Sequence, residues 1–591
     1  MRKGLNIVEP PFTPQDDSFI LDYLEYKGVE NFVDFIEKKC DKFTDFENFY
    51  MAQEGRNLLR KHIKKNGRIL TIVDADADGF TSSAKLVHDL AQLGVKVEPL
   101  HHIQKSHGLT DLLLDDIKSM NKENPVDLLI IPDAGSNDFD NCLELKELGI
   151  DILVIDHHMV DDEARLIKIT DENYVILNNQ LSMNKEVNRN FVGVGMVYIF
   201  LKWALKDLLE APDKYLELLS IGQVGDASDI SNREIRHLVY QGLENIENPF
   251  IKQIVDDPNP TSNHLSYSII PLINSVTRVG KIEEKEMLFN VLTGLPSDEK
   301  TIEVERKRKN KETGKMDKVT LKWSEYDLAA DLLKKVRTRQ NKIVDKVVLS
   351  LEENMIDTGS IIIGLTTPED IEYRSITGLV ANKFLTKYSK PTLILVKNED
   401  GTYSGSGRSD ESIMKEFRTW CNETNVVELA QGHESAFGFI IQEDMIDQFV
   451  EKSNDLKDVD SSQYLPDIFY KRNLNNSQII ELNQNEDLFG GNISKPLIAG
   501  IGLTVHRNCI SQRGSVLKFF IDGIECIKYK TPIGLADELK MGFTQEFTID
   551  IIGEATINNW GGRITHQIVL QDFVFNSDPI KEEIKAEDLV F

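Results

Sequence analysis

Three apolar runs in this chain each end on acidic or imidazole side chains, and that pattern leaves few folds open. Ile69-Leu70-Thr71-Ile72-Val73 leads into Asp74-Ala75-Asp76-Ala77-Asp78-Gly79. Val126-Asp127-Leu128-Leu129-Ile130-Ile131 ends at Pro132-Asp133-Ala134-Gly135-Ser136, and Ile150-Asp151-Ile152-Leu153-Val154-Ile155 ends at Asp156-His157-His158. Such runs read as buried strands. Residues 81–93, closing at Gly94, have helical spacing. Strands alternating with helices predict an α/β fold with a parallel sheet and right-handed crossovers. Sites in such sheets are built at the carboxyl ends of the strands, where these polar clusters fall. A fourth segment, Ile221-Gly222-Gln223-Val224-Gly225-Asp226, adds a carboxylate within residues 191–245, which read as mainly helical.

If strand geometry continued through Asp74, Asp76 and Asp78, the three carboxylates would share one face. Like charges packed together are costly without a cation between them. A divalent ion, hard and oxygen-seeking, is the simplest partner. A lone Asp after a strand is more often an N-cap or turn residue, and Asp133 alone would read that way. The set does not, because capping needs neither Asp-x-Asp-x-Asp nor Asp-His-His. The cluster therefore predicts a metal site.

Asp74 to Gly79, Asp133, Asp156-His157-His158 and Gly225-Asp226 resemble, in order and rough spacing, the four motifs of the DHH phosphoesterase superfamily. Val224-Gly225-Asp226 with Asn232-Arg233 and Gly242-Leu243 is similar to the fourth motif of its RecJ-like single-strand exonuclease branch. Ile273-Asn274-Ser275-Val276-Thr277-Arg278-Val279-Gly280 resembles a further segment of that branch. Thr377-Gly378-Leu379-Val380-Ala381-Asn382-Lys383, Ser404-Gly405-Ser406-Gly407-Arg408-Ser409 and Gly432-His433-Glu434-Ser435-Ala436-Phe437-Gly438 resemble the DHHA1 domain. Gln431-Gly432-His433 departs from the family's usual Gly-Gly-His. Together the motifs cover roughly residues 60 to 570 and are specific as a set.

The resemblance implies an α/β, two-lobed DHH and DHHA1 core with parallel sheets, joined by a long helix. A small C-terminal β-barrel of the oligonucleotide-binding (OB) type would follow. It implies two Mn2+ ions, with Mg2+ the alternative. Asp76 would ligate one ion and Asp78 the other, Asp133 would bridge them, and His157 and Asp226 would complete the second site. Asp74 would be a direct ligand or an acceptor behind the ligands. Asp156 would orient His157, and His158 would touch the scissile phosphate. Two cations about 3.5–4 Å apart can activate water, neutralise developing charge and hold the leaving oxygen. Carboxylates mixed with one imidazole suit manganese better than calcium. In the second lobe, Arg408 beside Ser406 would grip a phosphate bidentately, with the glycines letting the backbone approach. Alone, that loop reads as a tight turn. His433 would face the cleft, although a lone histidine is more often structural. Arg278 reads equally as a backbone-phosphate contact and as a buried ion-pair partner.

At 591 residues the chain should hold three or four domains. The expected division is a helical extension over 1–60, a DHH catalytic domain over 61–282, and a charged insertion with connecting helix over 283–352. A DHHA1 domain over 353–450, a linker over 451–490 and an OB-like barrel over 491–577 follow. An acidic tail over 578–591 is either disordered or a partner-docking peptide. β-like runs at 517–521, 525–529, 546–552 and 564–570 carry the barrel expectation, and patterning does not separate an OB barrel from another small β fold. Arg306-Lys307-Arg308-Lys309, with Lys311 and Lys315, reads as a solvated loop before a helix from about Tyr326 to Leu351, in preference to a nucleic-acid contact. No apolar run is long enough to span a bilayer, and the start does not read as a signal peptide. The five cysteines lack paired spacing, so a reducing cytoplasm fits. The net charge of −29 argues against a general nucleic-acid binder, although an exonuclease needs only a positive channel.

The resemblance thus implies a metal-dependent exonuclease of single-stranded DNA in recombination, repair or replication. It would work 5′→3′, release 5′-mononucleotides and act as a monomer. A single-strand-binding protein or a helicase would be its partner, and the divergence suits a phage or prophage enzyme. One alternative is a DHH phosphodiesterase of short oligonucleotides or cyclic dinucleotides, against which the extra barrel argues. Another is a non-catalytic DHH replication scaffold, against which the intact ligand set argues.

Overall fold

β1 (Ile69–Val73) is buried at all five residues, as its unbroken apolar sequence requires of a central strand. β2 (Val97–His101), β3 (Leu128–Pro132), β4 (Asp151–Asp156) and β5 (Tyr174–Asn178) complete a five-stranded sheet in the order β2-β1-β3-β4-β5. Every neighbouring pair is parallel. In this order β1 connects to β2 on one side while β3 lies on the other. The crevice beyond β1 and β3 is therefore the topological switch point, where ligands of open α/β sheets bind. Leu70, Ile72, Leu129, Ile131, Ile152 and Val154 point to one face and form a single core with the helices over it. Each such side chain contributes about 1.5–3 kcal/mol on burial.

The structure is a computed structural model. It describes residues 19–575 except 30, 256, 297–300, 310–315, 389, 411–412, 415, 455–463, 490–492, 530, 542–544 and 561–562, and also residues 5, 7, 8 and 10. At 307–309, 316–317, 559–560 and 563 it describes the backbone alone. Of the linker expected over 451–490, residues 455–463 and 490 lie outside the described residues, as do Lys311, Lys315 and the acidic tail; the described part carries the strand Ile468–Lys471 and the helix Asn476–Gln484. No helix among the described residues is long and apolar enough to cross a membrane.

The chain divides into two compact units. One holds residues 34–349 and 372–376, and the other holds 1–33, 350–371 and 377–591. In the first, the helices Ala77–Gln92, Gly193–Ala204 and Glu217–Gly225 pack on one another beside the sheet. The basic run expected as a loop is instead one arm of a two-stranded hairpin, β6 (Ile302–Lys309) with β7 (Met316–Trp323), paired antiparallel in register. Its alternation, Ile302-Glu303-Val304-Glu305, is the period-2 signal that the charge run obscured. The helix Glu325–Glu352 follows, close to the expected bounds.

In the second unit, β8 (Ile356–Asp357), β9 (Ile362–Thr366), β10 (Thr392–Lys397), β11 (Thr402–Arg408), β12 (Leu429–His433) and β13 (Ala436–Gln442) form a six-stranded sheet. The parallel arrangement expected for both lobes holds in this one for β9 and β10 alone. β10 and β11 are joined by a four-residue turn, and a connection that short forces antiparallel pairing. β14 (Ile468–Lys471), β15 (Leu497–His506), β16 (Ser511–Arg513), β17 (Val516–Ile521), β18 (Ile524–Lys528), β19 (Glu546–Trp560) and β20 (Arg563–Phe575) build a seven-stranded, mainly antiparallel sheet. Its ladder runs from β14 to β16, a mainly antiparallel arrangement consistent with the OB-like β domain expected here. The helix Phe19–Tyr26 belongs to this unit. Tyr23 donates a hydrogen bond to the Ser494 carbonyl and packs edge-on against Phe489, and Lys27 pairs with Asp467.

Candidate metal centre

β1 ends at Val73, and the chain turns at once into the helix Ala77–Gln92. Strand geometry therefore does not continue through the Asp-x-Asp-x-Asp segment, and its three carboxylates serve different positions. Asp76 is the N-cap, accepting from the Gly79 amide at 3.0 Å. Asp78, inside the first turn, is buried and accepts from the amides of Gly193 (2.6 Å) and Val194 (2.9 Å), the first residues of the helix Gly193–Ala204. A helix N-terminus favours a carboxylate at that place. Asp74 accepts from the Gly108 amide (2.8 Å) and from His107 Nδ1 (2.9 Å).

Asp133 leaves β3 with φ +60°, a left-handed conformation that Asp tolerates better than most residues and that is often found at functional sites. Its buried Oδ1 lies 3.1 Å from His157 Nε2. Neither atom has a hydrogen-bond partner in acceptable geometry. His157 Nε2 is also 3.8 Å from Asp78 Oδ2 and 3.7 Å from Asp226 Oδ2, so one imidazole nitrogen faces three carboxylates. Donor atoms of Asp74, Asp76 and Asp133 lie within 4.8 Å of one another, as do those of Asp133, His157 and His158. Asp133 is common to both groups. Asp226 closes the helix Glu217–Gly225 as its C-cap.

The electrostatics match the geometry. Burial, then the charges of Asp78, Asp76 and Asp74, push the Asp133 carboxyl well above the usual range. Burial likewise raises Asp78 to about 6, against the pull of His157. Burial and the charge of Asp76 raise Asp226 to about 6. Burial keeps His157 below its ordinary value, the neutral form a metal ligand requires. Three acidic side chains that resist joint ionisation, with two buried orphan atoms among them, make a ligand set suited to a divalent cation. The cation's charge reverses these shifts.

Asp156 does not orient the His157 ring as expected. Its Oδ1 accepts from the His157 amide (2.7 Å) and from His158 Nδ1 (2.8 Å), and its Oδ2 accepts from the Ser136 amide (3.0 Å). Burial would raise Asp156, but the hydrogen bond and charge of His158 outweigh it and hold the carboxyl well below its usual range. His158 is raised in return, the Asp156 bond overcoming the effect of burial. Adjacent residues in extended backbone point opposite ways, so the carboxylate reaches the second histidine's ring and only the backbone of the first.

Sequence reasoning missed His107 and Gly193. His107 has a half-exposed side chain, and its ring lies 4.6 Å from that of His158. Burial lowers it, but the bond to Asp74 prevails and raises it to about 9. The signal was present: His101, His102 and His107, three of the chain's 12 histidines, lie at or just past the end of one strand. Gly193 gave no signal. A Cβ on it would lie 2.4 Å from Asp133 Cβ and 2.5 Å from Oδ1, so glycine is needed for the backbone to approach.

Elsewhere in the same unit Arg278 is half-buried on the helix Ile269–Val279, and its carbonyl accepts from Ser375 Oγ at 3.0 Å. In the second unit, Ser406 and Arg408 sit on β11. The Arg408 guanidinium donates to the Gly407 carbonyl (2.7 Å), and burial lowers its pKa. A Cβ on Gly378 would meet Arg408 Nη2 at 2.4 Å, and Thr377 Oγ1 lies 2.9 Å from Ser406 Oγ. The arginine is thus laid over the start of the helix Thr377–Tyr388. His433 ends β12 and is exposed.

Residues 68–223 match the DHH family, N-terminal domain. This segment, which carries all five strands of the first sheet, is a DHH-family domain. Similarity extends over nearly the whole chain. It is 27% identical over 576 residues to the Bacillus subtilis (strain 168) protein named Putative SPbeta prophage-derived single-strand DNA-specific exonuclease YorK, covering 93% of this chain and 94% of that one. It is 22% identical over 558 residues to the single-stranded-DNA-specific exonuclease RecJ of the same bacterium, covering 90% of this chain and 64% of the relative. The crystal structure of RecJ from Thermus thermophilus in complex with Mn2+ aligns with a TM-score of 0.68 at 17% identity, over 97% of this chain and 79% of that one. The corresponding Mg2+ complex aligns with a TM-score of 0.63, also at 17% identity, over 96% and 78%. The fold is therefore shared along nearly the whole length.

Proposed function

We propose that the chain is a divalent-metal-dependent exonuclease hydrolysing phosphodiester bonds of single-stranded DNA, working 5′→3′ and releasing 5′-mononucleotides. The observation that carries the reading is the pair of buried, unpartnered atoms, Asp133 Oδ1 and His157 Nε2, amid Asp76, Asp78 and Asp226 at the switch point of the sheet. Two related proteins are named as single-strand-DNA-specific exonucleases, which supports the substrate class. Asp133 would bridge two ions, Mn2+ or Mg2+, with Asp76, Asp78, His157 and Asp226 as the other ligands. Bound there, the ions would supply a nucleophilic water at neutral pH and charge stabilisation of the leaving oxygen. Asp74 holds the loop of His107 and Gly108 in place. His158, its Nδ1 held by Asp156, would offer its other ring N–H to a phosphate oxygen. Arg408 and Ser406 bind the backbone of the strand, with Arg278 and His433 as further phosphate contacts.

The test is cleavage, with Mn2+, of a long 5′-labelled DNA strand, its duplex, an RNA of the same sequence and a dinucleotide, with Asp133→Ala as control. Labelled mononucleotide released from the single DNA strand by wild type and not by the variant is the expected result. Preference for the dinucleotide would transfer the chain to a small-substrate phosphodiesterase. Full activity in Asp133→Ala would remove the bridging role.

A further inference from the structure

The chain is strongly acidic, yet residues 302–346 carry fourteen Lys and Arg against eight Asp and Glu, a balance of +6 within a total of −29. The described part of this concentration falls on the hairpin and the helix Glu325–Glu352. Arg306 on β6 stacks over Trp323 of β7 at 4.5 Å and pairs with Asp331 of the helix Glu325–Glu352. That ties the hairpin to the helix. On the helix, Lys334, Thr338, Lys342 and Lys346 follow one another at four-residue intervals, all exposed, along a groove of ≈ 620 Å³ that Asp331, Lys335, Arg339 and Ile343 also line; Lys335 pairs with Asp331 and Arg339 with Glu284. The four-residue spacing puts Lys334 to Lys346 in one row, about 18 Å long at a rise of about 1.5 Å per residue. Lys318 and Lys322 on the hairpin are exposed as well, Lys318 in an ion pair with Glu305 of the opposite strand at 3.1 Å.

A row of cations with a hydroxyl and no aromatic anchor among its exposed members suits a regular line of anionic oxygens. We propose that this face, built by the hairpin and the helix Glu325–Glu352, is an auxiliary binding surface for the phosphate backbone of a single DNA strand. The surface adds length-dependent affinity and no base specificity, because phosphate contacts position the strand without reading it. It deepens the exonuclease reading and rests on it.

The experiment is fluorescence-polarisation binding of a long labelled DNA strand to the full chain without metal, between about 50 and 200 mM salt. Wild type is compared with the Lys334→Gln/Lys342→Gln/Lys346→Gln triple variant and with Lys318→Gln/Lys322→Gln. Each neutralised phosphate on a single strand contributes about 0.7 to the salt slope of log K, so the triple variant should lose about 2 from that slope. Mn2+-dependent cleavage of a dinucleotide should remain at the wild-type rate in both variants. An unchanged slope in variants that still cleave the long strand overturns the proposal and leaves the exonuclease reading standing. Failure of the wild type itself to bind or cleave single-stranded DNA overturns both. These substitutions are on exposed helix and hairpin positions, and the dinucleotide rate reports that the fold is intact.

Discussion

Replacing Gly193 by Ala tests whether the metal centre depends on backbone approach as well as on the carboxylates. The added Cβ would stand 2.4 Å from Asp133 Cβ, 2.5 Å from Oδ1 and 2.6 Å from Cγ. All three are under any ordinary contact, so Asp133 or the start of the helix Gly193–Ala204 must move by about 1 Å. The same shift loosens the 2.6 Å bond from the Gly193 amide to Asp78. Overpacking of this kind costs about 1–3 kcal/mol of stability. A displacement of about 1 Å in a catalytic group costs about a hundredfold in rate. Gly193→Ala should therefore fold, melt a few degrees lower, bind Mn2+ weakly in calorimetry and cleave about a hundredfold more slowly. Gly94→Ala is the matched control. Gly94 has φ +72° with open space around its Cβ position, so alanine there strains the backbone by about 1–2 kcal/mol without touching the site. Similar stability losses with unequal Mn2+ binding and activity would support the reasoning. Wild-type Mn2+ affinity and rate in Gly193→Ala, or parallel losses in the two variants, would refute it.

Asp226 has a folded pKa raised to about 6 from an ordinary 3.8, so without metal its ionisation opposes folding: the cost is absent below about pH 4 and complete above about pH 6. Metal-free Asp226→Asn should accordingly melt higher than wild type at about pH 7 and no higher at about pH 4, while gaining less from Mn2+; an equal gain at both pH values would contradict the assignment. Arg408→Ala should weaken single-strand binding by about ten- to a hundredfold, the worth of a charged hydrogen bond of about 1.5–3 kcal/mol, with Gly378→Ala giving a smaller loss of the same kind. Titrating wild type and both variants with a labelled strand checks this, and unchanged affinity in Arg408→Ala would remove its phosphate role.

Much of the site was legible because its signals are local. An apolar strand followed by Asp or His is a contiguous feature, and β1, β3 and β4 deliver Asp74 to Asp78, Asp133 and His157 to one sheet edge, as the runs suggested. The basic hairpin was harder to see because charge masked a period-2 pattern. The antiparallel course of the second sheet was set by a short turn between β10 and β11. The N-terminal helix was assigned with its sequence neighbours, yet Tyr23 finds its hydrogen-bond partner at Ser494.

The sequence by itself determined the chemistry: acidic and imidazole groups at strand ends, their number, and the parallel sheet that gathers them. Side-chain type and periodicity are properties of short stretches, and both survive translation into any register. Only the tertiary structure decided how those groups divide the work. The amide that holds Asp78 comes from Gly193, 115 residues away, the ring that holds Asp74 comes from His107, and Asp156 serves His158. Those pairings are chosen by the packing of distant helices and loops around the sheet. Contacts between residues far apart in the chain leave no trace in the spacing of either partner.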